Sequence, residues 1–224
     1  FGAGWEQPIQ TRYKRFLDAT DKDLQTVLGW FLSEGFSSES YIEITQKTPK
    51  MMGLFQECVE AAKRLFPSVA LYRRKGGGLR LHIFGRIVSL LFRKLCGGKA
   101  YEKRLHPFLL DFPLGVLLKC LWYGDGHHQL DKGSGCPQVL QISLTSQNLI
   151  WQVWQLFVNA GILPSLYEVP ARPPGRPQWR LDISGPDWVW DKVSGLLGMA
   201  FQMRERRQRR KFIDVGDFLL TPIR

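Results

Sequence analysis

Apolar and polar positions along this chain follow one ordered pattern, and then follow it again. An apolar run, Val27-Leu28-Gly29-Trp30-Phe31-Leu32-Ser33, ends in Glu34 and Gly35 and predicts a helix that starts at Asp21 to Asp23. A strand over 40–47 comes next, with Ile42 and Ile44 alternating against Tyr41, Glu43 and Thr45. Thr48-Pro49 opens a helix reaching about Leu65, with proline in its first turn. Two strands, Val69–Lys75 and Leu79–Phe84, flank Gly76-Gly77-Gly78 as a hairpin, and a helix from Arg86 to Leu95 precedes Gly97-Gly98. The second pass begins with a helix from near Phe112-Pro113 to Asp125. A loop is expected from Gly126 to Pro137, then a strand over Gln138–Leu144 and a helix from Ser146 to Asn159 closed by Gly161. A hairpin of Leu163–Val169 and Gln178–Ile183, joined by Pro170–Pro177, leads to a last helix from Pro186 to about Leu197. The unit is αββαββα, twice.

The two copies match residue by residue. Leu118-Lys119-Cys120-Leu121-Trp122-Tyr123-Gly124-Asp125-Gly126 repeats the first acid-glycine run. Leu79-Arg80-Leu81-His82-Ile83 repeats as Trp179-Arg180-Leu181-Asp182-Ile183, and Glu102-Lys103-Arg104-Leu105 resembles Arg210-Lys211-Phe212-Ile213. The offsets rise slowly, from 91 at the acids to 98, 100 and 108, as loop insertions in the second copy would produce. Several matches in one order argue for duplication. Gly29 and Ser33, and again Cys120 and Gly124, are four apart, so each pair lies on one helical face and lets two backbones approach. The glycines after the acids read as helix stops. Glu34 and Asp125 are thus placed at helix C-termini, where the macrodipole is already negative and a cation is needed to compensate. Side by side, the two carboxylates form a candidate divalent-metal site.

Charge sharpens this picture. Among 224 residues, 31 Lys and Arg outweigh 20 Asp and Glu, giving +11, and the basic residues cluster at Arg73-Arg74-Lys75, Arg93-Lys94, Lys99 to Arg104 and Arg204 to Lys211. Such clusters suit phosphate backbones. Hydrophobic content of 44% supports a packed core, and no apolar run approaches the ~20 residues of a membrane helix. Four dispersed cysteines (58, 96, 120 and 136) make no CxxC pair, which speaks against a disulfide framework or zinc site and for a reducing compartment. The start, Phe1-Gly2-Ala3-Gly4-Trp5-Glu6, lacks a signal-peptide pattern, and the absent Met is expected of an excised or trimmed segment. The expected location is intracellular (cytoplasm, nucleoid or organelle), not secreted.

These residues resemble the LAGLIDADG homing endonucleases in their two-motif monomeric form, over about residues 20–215. The first motif is similar to intein-borne enzymes; the second departs at Lys119 and Cys120, where the family has small residues. Residues 216–224 also resemble the segment where an intein endonuclease rejoins its splicing domain, although no splicing nucleophile or terminal His-Asn is present. The resemblance implies an α+β fold in which two pseudo-symmetric αββαββα repeats form a saddle of two antiparallel sheets, with the motif helices at the central interface. It divides the chain into an arm (1–20), a first repeat (21–98), a basic connector (99–111), a second repeat (112–213) and a tail (214–224). It implies that Glu34 and Asp125 bind two or more shared Mg²⁺ ions, with Ca²⁺ or Mn²⁺ substituting in vitro. Lys103 and Lys211 would stand as catalytic lysines, one per half. The partner would be double-stranded DNA with a long pseudo-palindromic or asymmetric site, bound by a monomer that needs no protein partner and no membrane.

Hydrolysis of both strands needs an activated water and relief of charge on the leaving oxygen, which divalent ions and a nearby lysine supply. The alternative is a cleavage-deficient DNA- or RNA-binding protein of the same fold, a transcription regulator or an intron-splicing maturase. Outward positions on the strands nominate Glu43, Thr45, Arg80, His82, Gln141, Ser143, Thr145, Arg180 and Asp182 for DNA binding, with Arg73, Arg74 and Lys75 near a hairpin tip. His127-His128 reads as a DNA contact or exposed loop rather than a metal site, because adjacent residues diverge on a strand. Trp151, Trp154, Trp188 and Trp190 read as core and interface filling. Gly76-Gly77-Gly78 lacks the context of a phosphate loop.

Overall fold

The computed structural model describes residues 18–47, 51–130, 137–171 and 175–201. Helix α1 (Lys22–Glu34) is started by Asp21, whose carboxylate accepts from the backbone N–H of Asp23 and Leu24. It runs straight into β1 (Gly35–Ser37), followed by β2 (Tyr41–Gln46), α2 (Met52–Leu65), β3 (Val69–Arg73), β4 (Leu79–Phe84) and α3 (Arg86–Cys96). The order recurs as α4 (Gly115–Asp125), β5 (Gly126–Leu130), β6 (Pro137–Leu144), α5 (Gln147–Asn159), β7 (Ser165–Val169), β8 (Gln178–Ile183) and α6 (Asp187–Leu197). Two antiparallel four-stranded sheets result, ordered β1-β2-β4-β3 and β5-β6-β8-β7. The fold is thus α+β, with two αββαββα repeats.

Alternation decides which sheet face meets the helices. Ile42, Ile44, Leu81 and Ile83 in the first sheet, and Leu140, Ile142, Leu181 and Ile183 in the second, are buried. Their neighbours Glu43, Thr45, Arg80, His82, Gln141, Ser143, Arg180 and Asp182 are half-buried on the opposite face. The most extensive helix–helix contact joins α1 to α4. Buried Gln25 ties these helices at their starts: its Nε2 donates to Ala19 O (2.7 Å) and Pro113 O (2.9 Å), and Leu117 N–H donates to its Oε1 (3.4 Å). The Leu117 N–H belongs to the first turn of α4, which has no intrahelical acceptor. Gln25→Leu is therefore expected to orphan these groups and cost about 1–3 kcal/mol, read as a lower urea midpoint with an unchanged m-value.

Several expectations are corrected. The segment after Asp125, expected as a loop, is strand β5 through Leu130, with His127 opposite Gln141. β1 has only three residues and β5 reads Gly126-His127-His128-Gln129-Leu130, so neither carries an apolar alternation for the pattern to show. The expected helix start at Thr48-Pro49 lies outside the described residues. The basic connector runs inward through two 3-10 turns (Ala100–Glu102 and Pro107–Asp111), and Leu105, Leu109 and Lys103 are buried. The four tryptophans divide. Trp190 is buried and Trp154 half-buried, whereas Trp151 and Trp188 are 48% and 54% exposed, turned away from the core by their helical phase. Cys58, Cys96 and Cys120 are free thiols, while Cys136 lies outside the described residues.

Candidate active site and nucleic-acid interface

Glu34 and Asp125 are the last residues of α1 and α4, the two helices that pack together. The seam is built on small residues. A Cβ added to Gly29 would meet Leu117 O at 2.5 Å and Cys120 Cβ at 2.7 Å; one on Gly124 would meet Ser33 Oγ at 2.1 Å and Glu34 Cγ at 3.4 Å. Gly29, Ser33, Cys120 and Gly124 thus meet along this line, and the two acids stand at its end, near enough for the Glu34 charge to act on Asp125. Burial, reinforced by the Glu34 charge and opposed by Lys103, pushes the Asp125 carboxyl up to about 7. Burial also raises Glu34, with Lys47 pulling it back.

The glycines after the acids serve a purpose other than the one expected. Gly35 and Gly126 have extended backbones (φ −95° and −88°) that any residue could adopt. Their missing side chains are what count: a Cβ at Gly35 would sit 2.3 Å from Phe31 Cδ2, and one at Gly126 2.0 Å from Trp122 Cδ1. Each helix therefore passes directly into a strand, folding an aromatic ring over the junction.

Lys103 lies in the connector but points into this centre. It is 2% exposed, its Nζ donates to Phe31 O (2.7 Å), and the same Nζ stands 3.4 Å over the Phe31 ring. Phe31 O also accepts the Gly35 N–H, so the lysine tops the negative end of α1. Burial pushes its ammonium down to about 7, with Cys96 and Asp125 opposing. A freely solvated lysine is thereby excluded. Lys211 lies outside the described residues.

An exposed Glu34 beside a half-buried Asp125, near enough for its charge to raise the Asp125 carboxyl further, fits a divalent cation, which would relieve that repulsion. Among the described residues no group of three or more His, Cys, Asp or Glu could hold a metal. A bound ion would complete its shell with water and phosphate oxygens.

The helix-free sheet faces carry the remaining candidates. Arg73, Arg74, Lys75, Arg80 and His82 line one cleft of about 420 Å³ with Tyr72. Glu43 is engaged internally: its Oε2 is 2.9 Å from His82 Nε2, and its Oε1 accepts from Thr45 Oγ1 (3.0 Å) and lies 3.2 Å from Arg80 Nε. Asp182 accepts from Gln141 Nε2 (2.8 Å) and Tyr167 OH (2.7 Å). Ser143 in β6 and Thr145 just beyond its end are half-buried, and His127 and His128 are exposed on β5 with their ring centroids 6.3 Å apart. Sequence reasoning missed Tyr72 and Tyr167, which register opposite Arg80 and Arg180. A repeated Leu-Tyr pair, Leu71-Tyr72 and Leu166-Tyr167, was the available signal.

Comparison with known proteins identifies the fold. Residues 114–190 match the family model of the LAGLIDADG-like domain. The chain as a whole shares its fold with solved LAGLIDADG proteins. A variant of the homing endonuclease I-DmoI, solved in complex with its target DNA in the presence of manganese, superposes with a TM-score of 0.56 at 15% identity, covering 81% of this chain and 97% of that one. I-WcaI bound to its DNA recognition sequence gives 0.55 at 14% identity, covering 88% and 89%. The N-terminal LAGLIDADG domain of DUF199/WhiA gives 0.53 at 12% identity, covering 80% and 83%. No curated protein sequence matches the chain. Residues 114–190 thus match a LAGLIDADG-like domain, and the chain shares the LAGLIDADG fold. Among the described residues no helix is long and apolar enough to cross a membrane.

Proposed function

We propose that this protein is a site-specific, divalent-metal-dependent endonuclease that cuts both strands of a long duplex site as a monomer. The observation that carries the reading is the carboxylate pair, Glu34 and Asp125, at the matching ends of two packed helices, with the Glu34 charge and burial pushing Asp125 up to about 7. Such an arrangement costs stability and is relieved by a cation. Glu34 and Asp125 would hold Mg²⁺, which when bound activates water and neutralises charge on the departing 3′ oxygen. That the I-DmoI and I-WcaI structures contain DNA supports the choice of substrate. The helix-free faces, with Arg80, Arg180 and the Arg73-Arg74-Lys75 tip, would follow the backbone and read base edges. Lys103, fixed beneath the acids by the Phe31 carbonyl, would orient Asp125 and favour negative charge in the transition state.

The test is selection from a randomised duplex library. Sites cut with Mg²⁺ and spared with EDTA are expected; metal-independent binding without cutting would assign the chain to the cleavage-deficient alternative. Lys103→Met preserves the buried volume and removes the ammonium. It is expected to lower single-turnover cleavage by on the order of 10²-fold with duplex affinity unchanged. Equal losses in both would make Lys103 a phosphate contact.

A further inference from the structure

Two rows of side chains occupy equivalent register positions on the helix-free faces. In the first sheet Thr45 pairs with Arg80, which pairs with Tyr72; in the second Ser143 pairs with Arg180, which pairs with Tyr167. The adjoining row is Glu43 opposite His82 in one sheet and Gln141 opposite Asp182 in the other. Each sheet thus has a hydroxyl–arginine–tyrosine row beside a row holding one carboxylate, carried by β2 in the first sheet and by β8 in the second.

The carboxylates face inward in hydrogen-bonding terms. Glu43 has both oxygens engaged, by Thr45 and Arg80 on one and His82 on the other. Asp182 has one oxygen held by Gln141 and the other by Tyr167. Few of their lone pairs remain for a cytosine amine. The arginines are anchored by these same groups. Arg80 Nε is buried 3.2 Å from Glu43 Oε1, and the Arg180 guanidinium hydrogen-bonds the Tyr167 hydroxyl. The two side chains are held at the root by what surrounds them, Glu43 beside Arg80 and the Tyr167 ring 6.0 Å from the Arg180 guanidinium. A planar fork fixed in this way suits the O6 and N7 acceptors of guanine.

Resting on the endonuclease reading above, we infer that Arg80 and Arg180 each read a guanine, at two positions of the target related by the pseudo-twofold of the repeats, with Glu43 and Asp182 acting as positioning residues. The adjoining row breaks the symmetry. Gln141, its amide orientation set by Asp182, presents Oε1 and its second N–H to an adenine, whereas the first half offers His82 at the equivalent row.

The test uses the full chain and a randomised duplex pool, retained without Mg²⁺ and sequenced. Guanine is expected at two positions equidistant from the site's centre, each favoured roughly ten- to a hundredfold. Arg80→Gln should erase one preference and Arg180→Gln the other. Glu43→Gln should loosen the Arg80 position while tightening binding to all sequences, because a negative charge leaves a basic face. Enriched sites without the symmetric guanines would overturn the inference. So would an Arg80→Gln protein that binds every duplex more weakly with its preferences intact, since Arg80 would then touch phosphate only. A Glu43→Gln protein that loses a cytosine preference elsewhere would make Glu43 a direct reader and overturn the positioning role. If no sequence is enriched at all, the endonuclease reading falls and this inference with it; enriched, cleavable sites lacking the guanines sink this inference alone.

Discussion

Asp125→Asn is expected to abolish double-strand cutting, by roughly a thousandfold or more, while duplex affinity changes only a few fold. The size follows from losing several kcal/mol of metal-borne charge stabilisation in the transition state. Affinity should be spared because, on the proposed reading, Lys and Arg contacts to phosphate supply most of it, from the sheets rather than from the seam. The same substitution should raise stability. Asp125 is half-buried beside a second carboxylate, and asparagine keeps its shape while removing the repulsion. A gain of a few degrees in Tm is expected in EDTA, together with loss of the Mg²⁺-dependent Tm rise of the unmodified protein. Glu34→Gln should behave alike, with a smaller gain, since Lys47 already eases the charge there. Cutting at the unmodified rate by Asp125→Asn in saturating Mg²⁺ would remove Asp125 from the active site. Lower stability in EDTA would show that the carboxylate is structural. A gain in stability with loss of function marks a residue kept for chemistry.

Much of this centre was legible in the sequence, and the parts that were not share a cause. The acid-glycine runs gave both carboxylates, and the four-residue spacing of Gly29 with Ser33 and of Cys120 with Gly124 gave the seam, because helical period and side-chain size are local properties. Period-two alternation separated Ile42 and Ile44 from Glu43 and Thr45 for the same reason. Lys103 was found only through resemblance, and its burial escaped notice, because it sits in a run of basic residues whose composition describes a surface. Only the path of the connector, folded inward by Leu105 and Leu109 and clamped by Gln152 to the Leu105 backbone, turns that one lysine under α1. Glu43 and Asp182 looked like base contacts because alternation assigns a face and not a partner. Their partners His82, Gln141 and Tyr167 come from cross-strand register, fixed by chain pairing between segments far apart in sequence. Trp151 and Trp188 could have been read better. Leu149, Ile150, Val153, Leu156 and Phe157 already make a complete buried stripe on α5 that leaves Trp151 outside it.

Gly124→Val is expected to be the most damaging single change at the seam, lowering Tm by roughly 5–10 °C. The first added carbon would already sit 2.1 Å from Ser33 Oγ and 2.4 Å from Ser33 Cβ, and a β-branched residue adds two methyl groups in the same crowded turn. Rotating the serine hydroxyl away does not help, because its Cβ is fixed to α1. The helices must separate, at about 3 kcal/mol, with each kcal/mol worth roughly 2–4 °C in a chain of this size. Separation also moves Asp125 away from Glu34, so cleavage and the Mg²⁺-dependent Tm rise should be lost together. Gly29→Val should follow the same course, since the clash at 2.5 Å is with the carbonyl oxygen of Leu117, which cannot turn aside. Gly195 provides the opposite sign. It lies in the last turn of α6, exposed, with nothing within 4 Å of an added Cβ. Gly195→Ala should therefore stabilise by about 0.5–1 kcal/mol through helix propensity alone. Thermal melts of the three variants would decide the matter. If Gly124→Val melts no lower than the unmodified chain, the two motif helices do not meet at this face, and the carboxylates are not held by it.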